Sequence, residues 1–399
     1  MTAEESKLLE GIEMNEPLRV LHVLNGLHAG GIQSFLVSLH KEVDPEIVQF
    51  DYLVRYEGEG IYEPIVKGLG GHVFHVPYSA KHPIRSRRNL QSFFMNHSYE
   101  IAHFHYGFFQ DITPINIAKR FGVSTRIVHA HSANYQWRGV RERVFQMQHE
   151  LNKSRGVHLA TDRFACSAAA AQWFSFTNGS LDEEWRFIPN GIETDKFVFD
   201  KQSRQDVRKR LEISPDSLCL GNVGRLSTAK NQLFLLDIFR KVLDEGQKAD
   251  LILVGGGELD SQLRGKAAQL NLGRSIHFVG ETAGAAEYYN GMDVFVFPSE
   301  AEGLGMALVE AQANGLPCIA SEAIPCEAII CEMTKVLSLN RSAQEWADAI
   351  IASNGLGRQR KNASFVRSAG YDIGEVAKEL TRFYCDSTMK ESVELRHGR

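Results

Sequence analysis

The segment LRVLHVLNGLHAGGIQSFLVSLHKEV, residues 18–43, reads as a strand, a glycine turn and a helix in immediate succession. Residues 18–25 are a short leucine- and valine-rich run, the pattern of a strand buried on both faces. GLHAGG follows over 26–31, and then Ile32, Phe35, Leu36 and Leu39 recur at helical spacing. Further strand-length runs come at VQFDYLV (48–54), GHVFHVP (71–77), EIAHFH (100–105), TRIVHAH (125–131) and RFACS (163–167). Helical patterns such as 61–70 and 112–122 lie between them. The alternation breaks at RFIPNGIETDKF (186–197), which carries Pro189 and the turn pair Asn190-Gly191. It restarts with SLCLGNVG (217–224), ADLILVGGG (249–257), SIHFVG (275–280), DVFVFPS (293–299) and PCIAS (317–321). Strands alternating with helices predict parallel sheets covered on both faces. The expected architecture is therefore α/β, with two doubly wound Rossmann-like domains facing across a cleft. Ligands in such sheets bind beyond the carboxyl ends of the strands. A last helix is expected over 372–384, with polar tails at 1–16 and 386–399.

Composition agrees with this reading. The chain has 399 residues, 43% hydrophobic and 23% charged, ordinary values for a soluble globular protein of two domains. No apolar stretch approaches the roughly 18 residues of a spanning helix. The N-terminal segment has no apolar core of a secretory signal. A net charge of −5 argues against a general nucleic-acid binder. Residues 81–155 nevertheless hold twelve Lys/Arg and four acids, a local excess of +8. This stretch either faces an anionic partner or forms solvated helix faces. Within it, Leu90, Phe93 and Phe94 fall at helical spacing beside Arg85, Arg87 and Arg88, which suits an interfacial helix or an ordinary core-facing one. Six cysteines without a C-x-x-C motif read as reduced thiols.

Chemistry concentrates in PSEAEGLGMALVEAQANGLPCIAS (298–321). A strand ends at Phe297, a loop carries Glu302 and Gly303-Leu304-Gly305, and a helix begins near Met306 with Glu310 in its second turn. Glycines allow close backbone approach, and a helix start favours an anion such as a phosphate. Two carboxylates would repel a phosphate, but they suit sugar and ribose hydroxyls. Surface glutamates around a helix start are the plainer alternative. Arg225 and Lys230 follow a strand that ends near Gly224, and two cations before a helix suit a diphosphate. Gly30-Gly31 either meet a phosphate or simply turn the chain. His103, His105, His129 and His131 form two H-x-H pairs at strand ends. Each pair shares one face, so a metal site is a rival reading that needs further ligands.

Five segments, in order, resemble the retaining GT-B glycosyltransferases of glycosyltransferase family 4 (glycosyl transferases group 1), in particular bacterial capsular and exopolysaccharide members. They are VLNGLHAGGIQSFLVSL (23–39), IPNGIETDKF (188–197), GRLSTAKNQLFLL (224–236), LILVGGGELDSQL (251–263) and the 298–321 string. Gln33 stands where many members carry an acid. The resemblance implies a GT-B fold with an acceptor-binding domain over 17–198, a nucleotide-sugar-binding domain over 199–371, and a helix over 372–385 crossing back to the first domain. It implies transfer of a hexosyl unit, with retention, from a nucleotide-sugar (a UDP-sugar) to a glycan or polyprenyl-linked acceptor. Arg225 and Lys230 would hold the donor diphosphate, Glu302 the sugar hydroxyls and Glu310 the ribose. Gly303, Leu304 and Gly305 would shape the donor loop, and Gly30 and Gly31 would close over donor and acceptor. His131 would lie beside the sugar's C6 region or the reaction centre, with Tyr135, Trp137 and Arg138 on the acceptor side. The expected enzyme is metal-independent and has no cofactor beyond its nucleotide-sugar co-substrate. Its expected place is the cytoplasm, peripheral on the inner face of the plasma membrane through the basic 81–155 segment. The rivals are an epimerase or hydrolase acting on a nucleotide-sugar, and a non-catalytic sugar-binding protein.

Overall fold

The structure, a computed structural model, describes residues 16–28, 30–79, 81–133, 140–175, 185–359 and 361–397. Its first half is a seven-stranded sheet of β1 (Leu18–Leu24), β2 (Val48–Val54), β3 (Val73–His75), β4 (Ile101–Tyr106), β5 (Thr125–Ala130), β6 (Asp162–Ala165) and β7 (Trp185–Phe187). The strand order is β3-β2-β1-β4-β5-β6-β7, and every pair is parallel. The second half is a six-stranded sheet of β8 (Leu218–Val223), β9 (Ala249–Val254), β10 (Ile276–Gly280), β11 (Val294–Phe297), β12 (Cys318–Ser321) and β13 (Thr334–Leu337). It repeats the same winding as β10-β9-β8-β11-β12-β13, again all parallel. In each half the order reverses beside the first strand, and a crevice opens there at the carboxyl ends. The central strands β8 and β11 are buried at every residue, which is why they read as largely apolar runs rather than alternating ones.

The edge strands β7 and β13 were not expected from sequence. Both sit at a sheet margin with exposed residues, and Thr334–Leu337 carries a lysine, so neither shows the apolar signature of its neighbours. The terminal helix also runs further than 372–385: it spans Ile373–His397. No glycine or proline follows Gly374 until Gly398, so nothing in the polar stretch stops it.

The chain passes between the halves twice, at 188–192 and at 371–373. Ile192 N–H donates to the Tyr371 carbonyl at 2.8 Å, and Ile373 N–H donates to the Ile192 carbonyl at 3.0 Å. Ile373, Val376, Ala377, Leu380 and Tyr384 of the terminal helix then join Val20, Phe35, Leu39 and Phe50 in the core of the first half. At about 1.5–3 kcal/mol for each large side chain buried, this apolar face holds the helix across the first sheet. Of the two readings open for one helix, the core-facing one holds. In the helix Pro83–Asn96, Leu90, Phe93 and Phe94 are buried in the core, so those three cannot meet a membrane. Arg85, Arg87 and Arg88 are exposed, as is Ile84. No described helix is long and apolar enough to cross a membrane. All six cysteines are free thiols, and only Cys326 is exposed.

Candidate active site

The loops after β8 and β11 meet at the reversal point of the second sheet. After β8, Gly224 takes φ +151°, and a Cβ there would press on the Lys230 stem at 3.3 Å. The Thr228–Lys230 turn ends at Asn231, a left-handed residue (φ 55°), before the helix Gln232–Asp244. After β11, the loop is tied to this turn by the Glu300 N–H, which donates to the Ala229 carbonyl at 2.7 Å. The two loops thus bring Lys230 and Glu302 together: Lys230 Nζ donates to Glu302 Oε1 at 2.5 Å. Their side chains are 19% and 9% exposed, and Lys230 Nζ also lies 4.9 Å from the centre of the Phe297 ring. A pair this enclosed polarises strongly, because little water screens it.

Gly305 (φ 94°) turns the loop into the helix Met306–Ala313, and no side chain caps that helix start. Its first N–H groups and the helix dipole form a setting for an anion. Leu304 is buried beside it. One turn further on, Glu310 Oε2 accepts from the Tyr289 hydroxyl at 2.6 Å. Burial raises the Glu310 pKa to about 7, with the Tyr289 hydroxyl and Lys230 acting in the opposite direction. Tyr62 of the first half faces this floor. Burial raises its pKa, and the carboxylates of Glu310 and Glu281 add to the rise from across the crevice. Arg225 points elsewhere: its Nε donates to Glu258 at 3.1 Å, and both side chains are exposed. Two of the three adjacent glycines are required by packing. A Cβ at Gly255 would overlap the Gly224 carbonyl, and one at Gly257 the Leu226 carbonyl.

The first half closes over this floor at two points. A Cβ at Gly303 would overlap the main-chain carbonyl of His131, and the Ser167 hydroxyl donates to the Gly303 carbonyl at 2.6 Å. Gly31 approaches the start of the opposite helix, with a Cβ there 3.8 Å from Met306 Cγ. Gly30 precedes the helix Gly31–Glu42, and Gln33 on that helix donates to the Gly26 carbonyl at 3.0 Å. Gln33 therefore closes the glycine loop upon itself, a use that an acid in its place could not make. Tyr135, Trp137 and Arg138 lie outside the described residues.

His131 is buried with both ring nitrogens engaged: Nδ1 lies 3.1 Å from Asn190 Oδ1, and Nε2 lies 2.9 Å from His105 Nδ1. Burial lowers its pKa to about 3, so the ring is neutral. His22 joins from β1, giving two groups of three rings, His22/His103/His105 and His105/His129/His131, whose ligand atoms lie within 4.8 Å of one another. The H-x-H pairs thus do acquire further nitrogen donors, although each short contact among them has hydrogen-bond length. Sequence reasoning missed His22, Asn190, Ser167 and Tyr289 as supports of the site. Asn190 at least stood inside the quoted 188–197 segment; Tyr289 gave no local signal. The contact at Gly303 leads to one expectation. Gly303→Ala should lower transfer by roughly tenfold while leaving nucleotide binding within about threefold, because the added carbon separates the loop after β11 from His131. Calorimetric titration alongside a rate assay checks this, and unchanged rates would show that the two halves need not touch there.

The glycosyl transferases group 1 family model matches residues 203–362, which span the Lys230, Glu302 and Glu310 loops. EpsF of Bacillus subtilis (strain 168), named as a glycosyltransferase, is 30% identical over 381 residues, 94% of this chain and 98% of that protein. The capsular polysaccharide biosynthesis glycosyltransferase CapM of Staphylococcus aureus is 28% identical over 131 residues, 33% of this chain and 34% of that one. Among solved structures, Anabaena HepE in complex with UDP and glucose superposes with a TM-score of 0.72 at 17% identity, covering 92% of this chain and all of that one. With a near full-length relative at that identity and two sheets wound alike, the chain belongs to the glycosyl transferases group 1, the retaining GT-B glycosyltransferases of family 4.

Proposed function

We propose that this enzyme transfers a hexosyl unit from a UDP-sugar to a glycan or polyprenyl-linked acceptor during synthesis of a cell-surface polysaccharide. The observation that carries the proposal is the Lys230–Glu302 pair beside an uncapped helix start, closed from above by His131. HepE, solved with UDP and glucose, supports the donor class, and the name of CapM supports the polysaccharide context. In this reading residues 199–371 hold the donor and residues 17–198 the acceptor, with the helix from Ile373 returning to the acceptor half. Lys230 and Arg225 stabilise the charge that develops on the leaving diphosphate. Arg225 would exchange Glu258 for phosphate, an inexpensive change for an exposed pair. Glu302 accepts from sugar hydroxyls and Glu310 from the ribose. The acceptor attacks on the face the diphosphate leaves, and a phosphate oxygen takes the acceptor's proton. Closure of the halves limits hydrolysis by water.

An acceptor-dependence assay tests the reading. UDP release only when acceptor is present supports transfer, whereas release without acceptor favours the epimerase or hydrolase. Activity is expected to survive EDTA; complete loss restored by zinc or manganese would overturn the cation-only treatment of the diphosphate.

Glu310 gives a pH prediction. It accepts ribose hydroxyls best as a carboxylate, and its pKa lies at about 7. Donor KM should therefore climb as pH falls below that value, by up to about tenfold per unit, and Glu310→Gln should flatten the profile. Fold stability has the opposite sign. The folded chain keeps a proton that an unfolded one releases above 4.5, so the burden of this group grows from pH 4.5 to about 7. Protonation of Glu310 at low pH therefore does not itself weaken the fold. A flat profile for the wild type would remove Glu310 from the ribose.

We also place the enzyme in the cytoplasm, docked on an anionic membrane through the exposed cations of residues 81–155. Salt-sensitive flotation with anionic vesicles, lost on charge reversal of Arg85, Arg87 and Arg88, is the expected result. No binding at low salt would leave a soluble acceptor as the better reading.

A further inference from the structure

Five buried histidines stand side by side on the three central strands of the first sheet. The parallel register pairs His22 with His103 and His105 with His129, so rings from β1, β4 and β5 share one face. None is more than 7% exposed, so bulk water does not reach them. One row runs His22 Nδ1 to His105 Nε2 at 2.9 Å, His105 Nδ1 to His131 Nε2 at 2.9 Å, and His131 Nδ1 to Asn190 Oδ1 at 3.1 Å. A second links the Tyr384 hydroxyl to His103 at 2.8 Å and His103 to His129 at 3.2 Å.

The first row has a single consistent direction. The Asn190 carbonyl oxygen can only accept, so His131 donates from Nδ1 and accepts at Nε2. His105 must then donate from Nδ1 and accept at Nε2, and His22 must donate from Nδ1. The far end agrees, since His22 Nε2 is buried with no hydrogen-bond partner among the described residues. As a bare acceptor it costs less than the orphaned N–H that the reverse direction would leave there. All three rings must be neutral: a second proton on His105 or His131 would set two N–H groups head to head, and one on His22 would leave a buried N–H unpaired. Burial favours that state, holding His22 and His131 down to about 3.

We infer that His22 and His105 are positioning residues for the transfer reaction. They fix the His131 ring between themselves and the crossover residue Asn190, and so hold the His131 main chain against the donor loop at Gly303. The inference rests on the function proposed above for its kinetic consequence, though not for the row itself. Because both nitrogens of His131 are used internally, the residue meets the donor side through its carbonyl and not as a general base.

Two experiments test it. Long-range proton–nitrogen NMR of histidine-labelled protein at pH 7 should show His22, His105 and His131 as neutral rings protonated at Nδ1, with signals assigned by single substitutions. An Nε2–H tautomer or a cationic ring at any of the three overturns the row, as does stoichiometric zinc bound to this cluster in the purified protein. In kinetics, His105→Phe keeps the ring shape but offers no nitrogen, and kcat should fall about tenfold with donor KM within threefold. His105→Asn places an amide nitrogen where Nδ1 stands, and should recover kcat to within threefold of the wild type. Wild-type kcat in His105→Phe, or no recovery in a folded His105→Asn, removes the positioning role. Failure of the wild type to transfer any sugar would instead count against the proposed function, and the tautomers, read on unmodified protein, keep these failures apart.

Discussion

Replacing Lys230 by alanine should slow sugar transfer by roughly 10²-fold or more, the scale of losing one preorganised charge at a developing anion. Lys230 is held from two sides, since Glu302 accepts from its Nζ and the Phe297 ring faces the same atom, while Gly224 leaves room beside its stem. Such support removes most of the rotamer freedom a lysine would otherwise lose on meeting a diphosphate. The variant leaves Glu302 without its cation. Breaking a fully buried pair costs about 3–5 kcal/mol, so with Lys230 partly exposed the loss of stability should stay below that range. Rates therefore need comparison at a temperature where thermal unfolding shows both proteins folded. Normal turnover and normal UDP affinity in Lys230→Ala would show that the diphosphate lies elsewhere.

Glu302→Gln should lower turnover by at least tenfold with the fold intact. The substitution keeps shape and one carbonyl acceptor but removes the charge that strengthens a hydrogen bond from a sugar hydroxyl. It also releases Lys230 from a charged partner, so nucleotide binding should hold or tighten while kcat falls. That split separates loss of a sugar contact from general damage to the pocket. A steady-state comparison of kcat with UDP affinity reads it directly. Near wild-type turnover would sink the assignment of Glu302 to the donor sugar.

The winding of both sheets was legible because their central strands are buried on both faces and so appear as apolar runs between helical patterns. The loop after β11 was legible because its parts are contiguous: Glu302, the glycines around Leu304 and Glu310 lie within nine residues. What stayed hidden depends on contacts distant in sequence. H-x-H spacing told that His103 and His105 share a face, but only strand register places His22 beside them, 81 residues away from His103. The partner of Lys230 is 72 residues on, and the Asn190 partner of His131 is 59 residues on, so no local pattern announces either. Leu90, Phe93 and Phe94 show the opposite failure: the spacing was right, but it is common to a core face and a membrane face, and packing decides between them.

The most direct test is an acceptor-dependent UDP-release assay across a panel of UDP-sugars, run on the wild type and Lys230→Ala. The proposed function predicts release for a subset of donors, only with a glycan or lipid-linked acceptor present, and reduced roughly 10²-fold or more in the variant. Release that is independent of acceptor, or equal in the two proteins, would contradict it.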